Sequence, residues 1–161
     1  TTVVNGGEAT LKGVEFSLEG MFPGAMNNFG YLINLTKVES DTEQYQNPVT
    51  GEDLPLPFES RDTNNIKLFY EDDRFSAHVA YNYRDGHVTD VQNNQGFPAF
   101  AQDYKDISAA LRYDVTENLT ISVEGRNLTD ESKITYLLDP SMIQQYRNYG
   151  KTYLFGLRYS M

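Results

Sequence analysis

The chain has no cysteine and no tryptophan among its 161 residues. Without cysteine, a disulfide framework and a thiolate metal site are both excluded. No run of about 18 apolar residues is present, which excludes a membrane-spanning helix. Basic residues are scarce, 13 against 23 acidic ones, and the net charge is −10. Nucleic-acid binding requires a basic face, so the composition argues against a nucleic-acid partner.

Apolar residues at period two are the main positive signal. One segment alternates Val14, Phe16 and Leu18 with Glu15 and Ser17. Such alternation predicts a strand with one apolar and one polar face. Helical periodicity is nearly absent, so the sequence predicts an all-β fold of antiparallel strands. The alternating segments are seven, at about 9–22, 28–40, 63–70, 75–84, 106–114, 119–126 and 153–161.

The connections between these segments alternate between short and long. The stretches "PGAMNN", "EDDR" and "TEN" are short, whereas the connections at about 41–63, 85–103 and 129–148 are long. In an up-and-down sheet, alternate connections lie at opposite ends. One end therefore has tight turns and the other has long loops, which is the asymmetry of outer-membrane β-barrels.

Aromatic residues collect on the apolar positions nearest the short turns, with Leu119 as the exception. An aromatic level of this kind suits the boundary between hydrocarbon and headgroups. Charged and amide side chains occupy the opposite positions, which suits a wet lumen. The aromatic residues at this level are Phe22, Phe29, Tyr70, Phe75, Tyr113 and Tyr159.

The alternative interpretation is a soluble β-sandwich that binds a ligand such as a carbohydrate. Alternation by itself describes a sandwich of this length equally well. A sandwich gives no reason for aromatic residues at the turn end of almost every strand, nor for the loop asymmetry. These two features favour a transmembrane antiparallel β-barrel.

Three stretches resemble the C-terminal part of TonB-dependent outer-membrane receptors. The first, "NGGEATLKGVEFSLEG", is similar to the family's lead into a Gly-x-Glu strand and holds Asn5, Gly6, Gly13 and Glu15. The second, "EGRNLTDESKITY", resembles the end of the penultimate strand. The third, "YRNYGKTYLFGLRYSM", resembles the last strand and ends at Met161. Together they bracket nearly all of residues 1–161 in the family's order.

The resemblance implies a barrel of 22 strands in the bacterial outer membrane. Seven strands are an odd number and cannot close, and an open edge is not tolerated in lipid. We therefore expect residues 1–161 to be the C-terminal part of the barrel, with the plug domain and the remaining strands upstream. The implied partners are outer-membrane lipid, that upstream plug and barrel, the TonB energy-transducing complex, and a scarce nutrient such as a metal–siderophore, a corrinoid or an oligosaccharide.

No arrangement of residues predicts catalysis, a cofactor or a metal site. His78 and His87 are the two histidines, and neither has ligand partners at a suitable spacing. Aromatic and cationic residues of the long loops are the candidates for substrate contact, since loops on a rigid scaffold commonly carry recognition. These candidates are Tyr45, Phe97, Phe100, Tyr104 and Arg147.

Overall fold

The computed structural model describes residues 8–42 and 45–160. In these ranges the structure is almost entirely strand and turn, with one 3-10 turn at Gly24–Met26. None of the described helical structure is long and apolar enough to cross a membrane. The sequence features at Asn5, Gly6 and Met161 lie outside the described residues.

A seven-stranded antiparallel sheet contains all seven predicted strands. Most have 10 to 13 residues, but the strands at 119–126 and 152–159 have only eight, shorter than a tilted crossing of a membrane usually needs. The strands are β1 (Thr10–Met21), β2 (Phe29–Asp41), β3 (Asp62–Glu71), β4 (Phe75–Arg84), β7 (Tyr104–Asp114), β8 (Leu119–Arg126) and β11 (Thr152–Tyr159).

The order of strands in this sheet is β1-β2-β3-β4-β7-β8-β11. Consecutive strands of the wall therefore lie side by side, as in an up-and-down barrel. Among the described residues the sheet does not close, and β1 and β11 form its two edges. This confirms the expected open sheet.

The strand register separates two chemically different faces. Leu18 lies opposite Ile33, and the same row continues through Ile66, Tyr81 and Ile107 on the next three strands. The adjacent row on the other face is polar throughout. It consists of Ser17, Asn34, Asn65, Asn82 and Asp106, and the Ser17 hydroxyl donates to Asn34 Oδ1 at 2.7 Å.

The apolar face is uncovered over most of its area. Phe155 and Leu157 are 80% and 74% exposed, and Val14 is 74% exposed. A β-sandwich would bury these side chains against a second sheet. Within residues 8–42 and 45–160 no such sheet covers them, so the soluble sandwich does not fit the structure.

The predicted aromatic level is continuous where three of its rings touch. The centroids of Phe29 and Tyr70 are 4.8 Å apart, and those of Tyr70 and Phe75 are 5.8 Å apart. The aromatic level is not perpendicular to the strands. Following the strand pairing from β2 to β11, the residue level with Phe29 is Phe155, whereas the aromatic residue of β11 is Tyr159, four residues further along the strand. With a rise of about 3.3 Å per residue and strands about 4.8 Å apart, the strands tilt by about 30°.

The tight turn between β3 and β4 is held by one carboxylate. Asp72 Oδ1 accepts the backbone N–H groups of Arg74 and Phe75, at 2.9 and 2.8 Å. The bond from Arg74, then that from the Tyr70 hydroxyl, holds the pKa of Asp72 below its usual value. An aspartate that accepts backbone N–H groups two residues on is the usual means of making so short a turn.

The long connections fold into a second sheet, which the sequence did not predict. It has four strands, β5 (His87–Asp90), β6 (Ala99–Ala101), β9 (Lys133–Leu137) and β10 (Ile143–Arg147), in the order β10-β9-β6-β5. Buried apolar side chains occur only in the long connections, at Leu54, Val88, Ala99 and Leu137, among the described residues.

Candidate functional site

The three long connections join into one unit, here called the cap (residues 45–61, 85–103 and 127–151). Phe58 N–H donates to the carbonyl of Val88 at 2.7 Å, which links the first connection to the second. Gln102 N–H donates to the carbonyl of Ile134 at 2.9 Å, which links the second to the third. Val88 and Pro98 are fully buried within this unit. The cap is therefore a packed structure with its own small core.

A cavity of about 240 Å³ lies where the cap meets the large sheet. The sheet contributes Arg84 and Tyr104, which face each other across the β4–β7 pair. Both occupy positions of the same parity as Asn82 and Asp106, so the cavity is on the polar face. The cap contributes Asp85, His87, Lys133 and Arg147 among others.

Arg84 anchors the first connection of the cap to the sheet. Its Nε donates to Ser60 Oγ at 2.6 Å, and its Nη2 donates to the carbonyl of Phe58 at 2.9 Å. Ser60 Oγ also lies 3.3 Å from His87 Nδ1. Burial lowers the pKa of His87, and the neighbouring Arg84 guanidinium lowers it further. The neutral form of His87 is therefore favoured, and among the described residues the Arg84 guanidinium donates only to neutral oxygen atoms.

Two further cations lie side by side on the cap's own sheet. Lys133 and Arg147 are directly opposite each other in the β9–β10 pair. Lys133 Nζ lies 5.1 Å from the centroid of the Tyr104 ring, a cation–π contact. In the part of the chain that the structure describes, the side chain of Arg147 has no hydrogen-bond or ion-pair partner, and it is exposed.

The structure places two of the five predicted contact residues, Tyr104 and Arg147, at this cavity. Neither lies in a simple loop, because Tyr104 begins β7 and Arg147 ends β10. Phe100 belongs to β6 and stacks on Tyr136 with centroids 5.4 Å apart. The other two lie in turns away from the cavity lining: Phe97 N–H donates to Asn93 Oδ1, and the carbonyl of Tyr45 accepts from Leu54.

Sequence reasoning did not select Arg84, His87 or Lys133 as cavity residues. Lys133 and Arg147 are 14 positions apart in the chain, and only the β9–β10 hairpin makes them neighbours. In the sequence, Arg84 is only one of several polar residues in an alternating strand, so nothing distinguishes it as a cavity residue. Among the described residues, no group of three or more histidine, aspartate and glutamate side chains is arranged to hold a metal ion.

The family model for TonB dependent receptor-like β-barrels matches residues 1–128. That match covers well over half of the chain. The chain belongs to the TonB-dependent receptor β-barrel family. This membership agrees with the open antiparallel sheet and its two unlike faces.

A solved structure supports the same fold. The siderophore receptor PiuA from Acinetobacter baumannii superimposes with a TM-score of 0.68 over 94% of this chain, at 16% sequence identity. At that identity the likeness shows the fold alone. The chain spans 22% of the length of PiuA. No curated protein sequence matches the chain significantly.

Family membership assigns a solvent to each face of the large sheet. In membrane β-barrels the apolar side chains face lipid and the polar ones line the lumen. Leu157 and its row are thus lipid-facing, whereas Arg84 and Tyr104 point into the lumen. The tight turns of such barrels are periplasmic and the long loops extracellular. The cavity lies on the polar face, at the end of the sheet that carries the long connections.

Proposed function

We propose that the chain is the C-terminal part of an outer-membrane receptor that imports a scarce nutrient by energy-coupled transport. The chain supplies part of the barrel wall, its lumen lining and three extracellular loops, and carries out no catalysis. The remaining strands and the plug domain belong to the rest of the receptor. The nutrient is one too large or too dilute for passive entry, such as a metal–siderophore, a corrinoid or an oligosaccharide.

The observation that carries this proposal is the position of the cavity in a member of this family. A cavity on the lumen side of the mouth opens onto the route that a nutrient would take through the barrel. Its polar lining comes from two rigid strands and from a cap with its own core, which holds the binding groups in place. Three rows of the polar face further support a wet lumen, because each contains amide, hydroxyl or charged side chains. These rows begin at Glu15, Ser17 and Glu19 of β1 and continue across β2, β3 and β4.

The proposed partners follow from the same reasoning. The apolar face contacts outer-membrane lipid, and the plug fills the lumen against the polar face. The TonB complex of the inner membrane acts on the receptor through the plug. The edges at β1 and β11 continue into the remaining strands of the barrel, which removes the unpaired backbone groups that lipid does not tolerate.

Uptake in cells tests the proposal. Cells that carry the intact receptor are starved of iron, of corrinoid or of simple sugars, and are given the corresponding labelled nutrient. We expect accumulation of one nutrient class to require both the receptor and the TonB complex. Accumulation that is the same without the TonB complex, for all three classes, would contradict energy-coupled transport.

A further inference from the structure

We propose that Lys133 and Arg147 form a subsite for an oxygen anion, a carboxylate or phosphate group, on the soluble nutrient that the receptor imports. This rests on the transport function proposed above and specifies the chemistry of one part of the ligand. The subsite is defined by two like charges that the protein places together and does not neutralise.

The pairing of these two cations is unfavourable by itself. Lys133 and Arg147 are directly opposite in an antiparallel pair, where like charges are destabilising. Acidic residues outnumber basic ones in the chain, 23 to 13, so a carboxylate partner would be common by composition. The ion pairs between described residues nevertheless all lie elsewhere. They join Lys37 to Glu39, Lys105 to Asp103, Arg112 to Asp114 and Arg126 to Glu124.

The charge around the two cations also favours an anion. Arg84 adds a third permanent positive charge to the lining, and its guanidinium binds the neutral oxygen atoms of Ser60 and Phe58. Asp85 is the one carboxylate among the lining residues, and its Oδ1 already accepts Gly86 N–H at 2.9 Å. The cavity therefore has an excess of positive charge in a chain of net charge −10. An anion that binds there relieves the repulsion between Lys133 and Arg147.

The size and position of the cavity suit one arm of a soluble ligand. The cavity of about 240 Å³ holds on the order of eight water molecules at about 30 Å³ each. Sites for whole ligands are larger, at about 300–1,000 Å³, so this one fits an anionic arm of a larger molecule. Because Arg84 and Tyr104 point into the lumen, the arm comes from a soluble molecule. The phosphates of lipopolysaccharide lie outside the barrel wall.

Citrate, which carries carboxylates on a small frame, is the probe that tests the subsite. The purified intact receptor in detergent is titrated with citrate by calorimetry at constant ionic strength. We expect the double variant Lys133→Gln/Arg147→Gln to bind citrate at least about 10-fold more weakly, since hydrogen bonds to charged groups are the strong ones. The matched control Lys12→Gln/Lys151→Gln removes the same charge away from the cavity and should bind as the wild type does. Equal binding by both variants, or no binding to the wild type, overturns the proposal.

A stability measurement separates binding from a structural role. Because Arg147 repels Lys133 in the empty receptor, Arg147→Gln should leave the thermal stability of the empty receptor unchanged or raise it. Loss of citrate binding together with a large loss of stability would assign the two cations to the structure and overturn the proposal. Arg147→Lys keeps the charge and should retain binding within a few-fold of the wild type.

Two further measurements identify the source of the anion and test the subsite separately from transport. Citrate affinity should be equal in phospholipid vesicles with and without lipopolysaccharide, and a loss with lipopolysaccharide would make a lipid phosphate the occupant. Citrate binding requires no energy coupling. Uptake without citrate binding therefore rejects the subsite alone, whereas citrate binding without TonB-dependent uptake rejects transport alone.

Discussion

Arginine placed at increasing depth on the lipid face of β11 gives the sharpest test of the barrel assignment. Tyr159, Leu157 and Phe155 follow one another on this face, and they are 68%, 74% and 80% exposed. Because all three side chains lie on the same face of one strand and are exposed to similar extents, replacing each by arginine should remove a similar amount of packing. Any difference in their effect therefore reports the surrounding solvent.

The depths follow from the strand geometry. With a rise of about 3.3 Å per residue and a tilt of about 30°, Leu157 lies about 6 Å and Phe155 about 11 Å above the level of Tyr159. The apolar band of such barrels is about 25 Å tall, so Phe155 is close to the bilayer midplane. Arginine costs about 2–4 kcal/mol at the midplane and about 0–1 kcal/mol near the interface. We expect costs near zero for Tyr159→Arg, intermediate for Leu157→Arg and about 2–4 kcal/mol for Phe155→Arg.

A leucine on the lumen face of the same strand provides the control. Leu154 is 45% exposed and lies opposite Glu124, so Leu154→Arg places a cation in water beside a carboxylate. The arginine stays hydrated there, and an exposed ion pair changes stability by only about 0–1 kcal/mol. The substitution should therefore lower the free energy of unfolding by less than about 1 kcal/mol. Gly156 is unsuitable as a control, because any side chain there would overlap the Ser122 hydroxyl.

Denaturant unfolding of the intact receptor in phospholipid bilayers measures all four variants against the wild type. Two results would contradict the lipid-facing position of these side chains: a cost that does not rise from Tyr159 to Phe155, or a cost of Leu154→Arg as large as that of Phe155→Arg. Either result would mean that the exposed apolar stripe of β11 does not face hydrocarbon.

Three other predictions concern the cap. Val88→Ala leaves a void at a fully buried position and should lower the stability of the cap by about 1–3 kcal/mol, seen as faster amide exchange at Phe58 with unchanged exchange in the wall. Arg84→Gln removes the bonds to Ser60 Oγ and the carbonyl of Phe58, so limited proteolysis should cut residues 54–60 sooner, whereas equal cleavage would refute the anchor. Since the pKa of His87 is lowered in the fold, its contribution to cap stability is present above about pH 6.5 and is lost as the pH falls through that lowered pKa. Protection factors of the cap amides, corrected for the intrinsic exchange rate at each pH, should therefore fall toward pH 5, and His87→Gln should flatten this dependence.

The wall of the barrel could be predicted from sequence because each strand repeats a simple signal. In strands such as Phe29–Asp41 and Tyr104–Asp114, alternation persists for several residues and fixes both the strand and its two faces. The aromatic level adds an independent marker of depth. The shorter β8 and β11 were also found, since their alternation is as regular as that of the longer strands.

The cap could not be predicted in the same way. Its strands are short, three residues at Ala99–Ala101 and four at His87–Asp90, so alternation has no room to show. Register shifts after Val88 and after Ile143 interrupt the pattern further. The cavity depends on this folding, since Lys133 and Arg147 become neighbours only through it. The aromatic and cationic residues predicted from the long loops include two that line the cavity, Tyr104 and Arg147. The sequence did not predict the residues that line the cavity with them, such as Arg84 and Lys133.

The location of the buried residues explains why the two parts differ in their sequence signals. The wall has no apolar core of its own, because its apolar side chains face lipid and its stability comes from strand pairing within the membrane. The cap stands in water and must bury apolar side chains internally, as it does at Leu54, Val88 and Leu137. The membrane determines which positions of the wall are apolar, whereas the small core of the cap determines which positions of the cap are apolar. The sequences of the two parts can therefore vary independently. Changes of ligand chemistry at the mouth, such as a different charge at Arg147, therefore leave the lipid-facing rows untouched.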